Sequence, residues 1–201
     1  MKYSHMETSL ILASTSPYRR ELIARLGLPF EAKAPLFDED IAKSNENSPA
    51  QLALFLATEK AKSLSTPENC VIGGDQVVTL GAEILGKPKT KENAFVQLSK
   101  MNGQSHELLT ATAVFYRGQV KAWVNLTKMQ MRKLSSDQIR SYIEMDQPLD
   151  CAGSYKIEKS GICLFEKIET TDFTAIQGLP LMELTQTLSE FGYCIPNTRS
   201  L

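Results

Sequence analysis

The chain has 201 residues, long enough for one substantial core, and its 42% hydrophobic and 22% charged residues are the balance of an ordinary globular domain. The formal net charge is −1, so no basic field exists to hold a nucleic-acid polymer, and no apolar run approaches the roughly 20 residues that span a bilayer. Residues 1–8 read as a short polar extension rather than a secretion signal, and Cys70, Cys151, Cys163 and Cys194 are too scattered for a C-x-x-C pair or a metal finger, which fits reduced thiols in the cytoplasm.

Leu10-Ile11-Leu12-Ala13 reads as an apolar first strand, and Ser14-Thr15-Ser16 as a small hydroxylated turn. Pro17 suits the first position of a helix that carries Leu22, Ile23 and Leu26 on one face. Residues 30–34 form a second strand-like run, followed by the acidic Phe37-Asp38-Glu39-Asp40. Ser48-Pro49-Ala50-Gln51 fits a capping box before Leu52, Phe55, Leu56 and Leu64. Residues 70–75 and 76–80 are apolar runs around Gly73-Gly74-Asp75, and Gly81 offers a hairpin turn to Ile84-Leu85. Thr90 can cap a helix bearing Phe95 and Leu98. Residues 108–116 and 120–132 read as long strands joined across Arg117-Gly118-Gln119. Ser135-Ser136-Asp137-Gln138 is a second capping box, residues 161–168 a further strand, and Pro180 opens a last helix ended by Gly192. Met101, Met129, Met131 and Met182 are expected in the core, and His106 just before a strand. Strands and helices interleave without strict alternation, which argues for one α/β domain, residues 1–201, with a mixed sheet covered by helices.

The opening turn is the clearest chemical signal. A strand-to-helix turn presents unpartnered N–H groups, and here it adds the hydroxyls of Ser14 and Ser16 and the guanidinium groups of Arg19 and Arg20. Arginine is a bidentate donor matched to phosphate. Three further places set charge beside glycine or a strand end. The cluster around Glu39 suits a hard cation shared with phosphates, although a solvated acidic loop is the plainer reading. Asp75, after two glycines at the expected end of a strand, can hold a metal or orient a water, or be a turn residue. Lys87 is pinned between Gly86 and Pro88, as a positioned cation or an ordinary turn residue. Lys60 and Lys62 lie on a helix where a solvated face is the default.

In order and spacing these pieces resemble the Maf family of nucleoside triphosphate pyrophosphatases, from Leu10 to about Phe191. Ser14-x-Ser16-Pro17-x-Arg19-Arg20 is similar to the family's opening motif, Glu39 falls on its acidic position, and Glu59-Lys60-Ala61, Gly73-Gly74-Asp75 and Gly86-Lys87-Pro88 on its next three motifs. Pro148-Leu149-Asp150-Cys151-Ala152-Gly153-Ser154-Tyr155 resembles its later substrate-side segment, and Gly178-Leu179-Pro180-Leu181 its closing one. The resemblance implies a Maf/ITPase-like mixed twisted sheet flanked by helices, with a cleft between two lobes. It also implies hydrolysis of an α–β phosphoanhydride to a monophosphate and pyrophosphate with a divalent cation, Mg or Mn. Asp75 carries over as general base, Asp75 and Glu39 as metal ligands, Lys87 as a catalytic cation, and Ser14, Ser16, Arg19, Arg20 and Lys60 as phosphate ligands.

Tyr18, Gln76 and Glu158 stand where a common branch of the family has arginine, threonine and glutamine, and they resemble the branch that acts on 7-methylguanosine triphosphate. Methylation at N7 makes guanine a cation, which an aromatic face attracts by on the order of 1–2 kcal/mol. Glu158 can accept from the guanine N1–H and amine. The expected substrate is therefore 7-methyl-GTP. The alternatives are dTTP or UTP, or a nucleotide-binding regulator of cell division. Family members are often dimers, which makes a homodimer a candidate assembly; neither a nucleic-acid polymer nor a membrane is an expected partner.

Overall fold

A computed structural model describes residues 9–38 and 48–196. Seven strands form one mixed sheet: β1 (Ser9–Ala13), β2 (Glu31–Lys33), β3 (Asn69–Leu80), β4 (Glu83–Leu85), β5 (Ser105–Tyr116), β6 (Gln119–Met131) and β7 (Phe165–Glu169). Their order is β2-β1-β3-β5-β6-β7, with β4 also paired to β3. β1 runs parallel to β2 and β3; the pairs from β3 through β7 are antiparallel. Five helices cover it: α1 (Pro17–Ala24), α2 (Pro49–Lys62), α3 (Lys91–Met101), α4 (Ser136–Asp146) and α5 (Leu181–Glu190). No helix among the described residues is long and apolar enough to cross a membrane.

The two-residue period of a strand divides the core. Leu10 and Leu12 of β1 face α1 and α5, packing with Leu22, Ile23, Leu184 and Leu188. Ile11 and Ala13 face the small-residue side of α2, Ala53, Ala57 and Ala61. Further along the same long strands, Val78, Leu108 and Met129 join α3 and α4 in a second lobe through Leu98, Ile139 and Tyr142. Gly73 to Gln76 fall where β3 passes from one lobe to the other.

Helix starts follow their caps. The hydroxyls of Ser16, Ser48 and Thr90 accept from the backbone N–H three residues on, and Ser135 with Gln138 closes a full capping box. Four expectations are corrected. β3 does not end at Asp75: it pairs with β5 continuously from Cys70 opposite Tyr116 to Thr79 opposite Glu107. The run 161–168 is not one strand, because Ser160–Leu164 is a 3₁₀ turn and the strand starts at Phe165. Lys159 and Gly161 both donate backbone N–H bonds to the Lys156 carbonyl, which closes that turn. His106 lies within β5, not before it, and is buried. Met182 is 68% exposed on the outer face of α5, whereas Met101, Met129 and Met131 are core as expected.

Candidate active site

β3 lies directly under α2. A Cβ on Gly73 would stand 2.2 Å from the Ala57 carbonyl oxygen and 2.7 Å from the Ala61 nitrogen, so only glycine lets strand and helix approach this closely. That contact brings Lys60, on the last turn of α2, over the strand. Its Nζ donates to Asp75 Oδ1 at 2.7 Å, and the two side chains are 7% and 13% exposed. Lys60 is thus not on a solvated helical face; it fixes the orientation of Asp75.

The opening turn is built around Ser14, itself buried. Its Oγ accepts from the Ser16 N–H at 3.2 Å and from Arg19 Nη1 at 3.5 Å. Arg19 Nε donates to the Gly178 carbonyl at 2.9 Å. The guanidinium stem lies across two glycines: a Cβ on Gly74 would stand 3.2 Å from Arg19 Nε, and one on Gly178 3.3 Å. Arg19 therefore crosses β3 at Gly74, on the face opposite the one that Asp75 shares with α2, between β3 and the segment that opens α5. Gln76 holds that segment from below. Its amide nitrogen donates to Thr110 Oγ1 at 2.8 Å and to the carbonyls of Ala175 and Ile176 at 3.0 and 3.2 Å. The turn Phe173–Gln177 so anchored leads straight into Gly178.

A second group gathers around Tyr18. Its hydroxyl donates to Asp150 Oδ2 at 3.3 Å, and Lys156 Nζ lies 2.9 Å from Asp150 Oδ1. Cys151 Sγ is 3.9 Å from the Tyr18 hydroxyl. Burial pushes the Tyr18 phenol above its ordinary range, so it remains a donor at neutral pH. Burial likewise pushes the Cys151 thiol up to about 12, which makes it no nucleophile. Burial works against the charge of Lys156, but its bonds to Asp150 and Tyr18 reverse this and hold its pKa above the usual value. Asp150 is held below the ordinary carboxylate range: burial opposes this, and the Lys156 bond outweighs it. Glu158, though an exposed residue, is raised by partial burial and more weakly by the Asp150 charge, against the pull of Lys156 and Lys159.

Lys87 is exposed on a clamped loop. Gln97 donates to the Gly86 carbonyl, Asn93 to the Pro88 carbonyl, and the Lys89 N–H to the Leu149 carbonyl at 3.1 Å, next to Asp150. The structure thus makes two groups at neighbouring positions of β3, Ser14, Ser16 and Arg19 with the Gln76-held turn on one face and Lys60 with Asp75 on the α2 face, and sets Tyr18 against the 150–158 segment that carries Glu158. It places Arg20 elsewhere: with Pro17, Glu21, Ala24, Phe30 and Ala32 it lines a cavity of about 500 Å³ between α1 and β2. Glu39 lies outside the described residues. Sequence reasoning did not single out Asp150, Lys156 or Thr110; the available signal for Asp150 was the 148–155 motif, within which no residue was chosen, and Gly178 was read only as part of the closing motif.

Among the described residues no three His, Cys, Asp or Glu side chains converge as a metal cage. A hard divalent cation commonly needs only one or two carboxylates when phosphate oxygens and waters complete its shell. Asp75, with a second carboxylate oxygen beyond the one Lys60 engages, fits that arrangement.

The sheet and its helices define an α/β fold shared with the Ham1 protein of Staphylococcus aureus, at a TM-score of 0.50 and 13% identity over 92% of this chain and all of that one. The Maf-like protein family profile matches residues 9–191, and the chain belongs to that family. A 7-methyl-GTP pyrophosphatase of Bdellovibrio bacteriovorus is 50% identical over 182 residues, 90% of this chain and 96% of the relative. Relatives of the same description from Thiobacillus denitrificans and Nitrosococcus oceani are 45% and 43% identical, each over 92% of this chain and over 92% and 94% of their own lengths.

Proposed function

We propose that this protein is a nucleoside triphosphate pyrophosphatase that hydrolyses 7-methyl-GTP to 7-methyl-GMP and pyrophosphate. The observation that carries this reading is the likeness, over nine-tenths of the chain, to relatives described as 7-methyl-GTP pyrophosphatases. The site is consistent with it. Asp75, held by Lys60, takes a proton from the attacking water, whose oxygen forms a bond to the α-phosphorus. The bond from the α-phosphorus to the bridging oxygen breaks, and pyrophosphate leaves with that oxygen. Arg19, Ser14 and Ser16 bind phosphate oxygens at the start of α1, and Lys87 meets the charge that develops on the leaving group. Glu39 and Asp75 would hold a divalent cation, Mg or Mn, which would supply charge neutralisation on the phosphates. Tyr18 and Glu158 receive the base, and Gln76 supports the turn that carries Gly178 and so the seat of Arg19. Four free cysteines support the cytoplasm as its compartment, and a homodimer is the candidate assembly. The test is a panel of 7-methyl-GTP, GTP, dTTP and UTP with pyrophosphate detection. The methylated guanine nucleotide should give the highest kcat/KM, and a higher value for dTTP or UTP would refute the substrate.

A further inference from the structure

The base end of the site contains a charge arrangement that the hydrolysis itself does not use. Lys156 is buried, its side chain 10% exposed, while the Asp150 side chain is 56% exposed. One carboxylate serves both neighbours: Oδ1 takes the Lys156 ammonium at 2.9 Å, and Oδ2 the Tyr18 hydroxyl at 3.3 Å. The backbone fixes this meeting. Gly153 and Ser154 have φ of 76° and 63°, which folds the chain back on itself between residues 150 and 156, and the Lys156 N–H donates to the Tyr142 hydroxyl at 2.9 Å. The ammonium lies 5.9 Å from the centre of the Tyr18 ring. A buried cation so close to an aromatic platform repels a second cation brought to that platform unless something cancels it.

We infer that the Asp150–Lys156 ion pair is a specificity-determining unit of the base site: it tethers Tyr18 and cancels a buried cation that would otherwise repel a positively charged base. This rests on the proposal that Tyr18 receives the base of 7-methyl-GTP. With the pair neutral, Glu158 and Lys159 are the opposite charges left beside it, and the Tyr18 ring face remains to favour a cationic base over neutral guanine. Lys156 in turn gives Asp150 a fixed position, so that the phenol is held at one angle to the incoming ring.

The test compares kcat/KM for 7-methyl-GTP and GTP in the native protein, in Asp150→Asn, in Lys156→Met and in the double variant. Asparagine keeps an acceptor for Tyr18 but removes the charge. The methylated-to-unmethylated ratio should fall roughly tenfold in Asp150→Asn, rise in Lys156→Met, and return to within about twofold of the native value in the double variant. Each ratio is read within one preparation, so a loss of folded protein cancels. A native ratio in Asp150→Asn, shifts of the same sign in both single variants, or no recovery in the double variant overturns the inference alone. A native protein that does not turn over 7-methyl-GTP overturns the functional proposal and the inference with it.

Discussion

In the proposed reaction Asp75 is the residue on which the chemistry turns, and its environment fits that role. It is nearly buried, held by a lysine from the neighbouring helix, and one position from the glycine that Arg19 crosses. Replacing Asp75 by Asn should leave nucleotide affinity within a few-fold while lowering kcat by roughly 10²–10⁴, the usual contribution of a general base. Titration of a non-hydrolysable analogue with steady-state rates checks both. Lys60→Met acts differently, because it strands a buried carboxylate: we expect a loss of about 3 kcal/mol in denaturant unfolding together with lost turnover. The close approach beside Asp75 was legible in the sequence, since Gly73-Gly74-Asp75 already marks a place where the backbone comes near something. The Lys60–Asp75 pair was not, because helical spacing says which face a lysine occupies but not which strand passes beneath it. Asp150 and Lys156 were hidden for the same reason: their meeting depends on two positive-φ residues whose turn has no strong local signature.

Among the elements, β3 and α2 form the pair that positions this residue. The sequence showed both, and it showed the caps of α1 through α4, because caps and hydrophobic periodicity are local. It misplaced the end of β3, since Gly-Gly-Asp is also a turn signal and only the ladder with β5 carries the strand through it. It also merged Ser160–Leu164 with β7, where apolar residues sit in a 3₁₀ turn without a strand partner. The packing of α2 on Gly73 gives a sharp expectation. Gly73→Ala places a Cβ 2.2 Å from a backbone oxygen that cannot swing aside, so the helix must move. A loss of about 1–3 kcal/mol is expected, seen as a Tm lower by several degrees. Because the same shift moves Lys60, residual kcat at a temperature where the variant is fully folded should fall too. An unchanged kcat would detach Lys60 from catalysis.

At the scale of the molecule, long strands shared by two lobes join the proposed phosphate end, built on α1, α2 and β3, to the proposed base end, built on the segment between α4 and β7. The second lobe has its own pH signature. His106 is 1% exposed, its Nε2 is 2.9 Å from the Tyr155 hydroxyl, and burial lowers its pKa to about 4. A depressed histidine pKa means that the unfolded chain binds a proton more readily than the folded one. Stability is therefore full above about 6.5 and declines as pH falls from there towards 4. His106→Gln should flatten this part of the Tm–pH curve while lowering Tm at neutral pH. For the whole account, the most direct measurement is the identity of the products. Incubated with 7-methyl-GTP and a divalent cation, the protein should release 7-methyl-GMP and pyrophosphate in equal amounts, with oxygen from isotopically labelled water in the monophosphate. Release of 7-methyl-GDP and inorganic phosphate, or label in the pyrophosphate, would contradict attack at the α-phosphorus and with it the roles assigned to Asp75, Arg19 and Lys87.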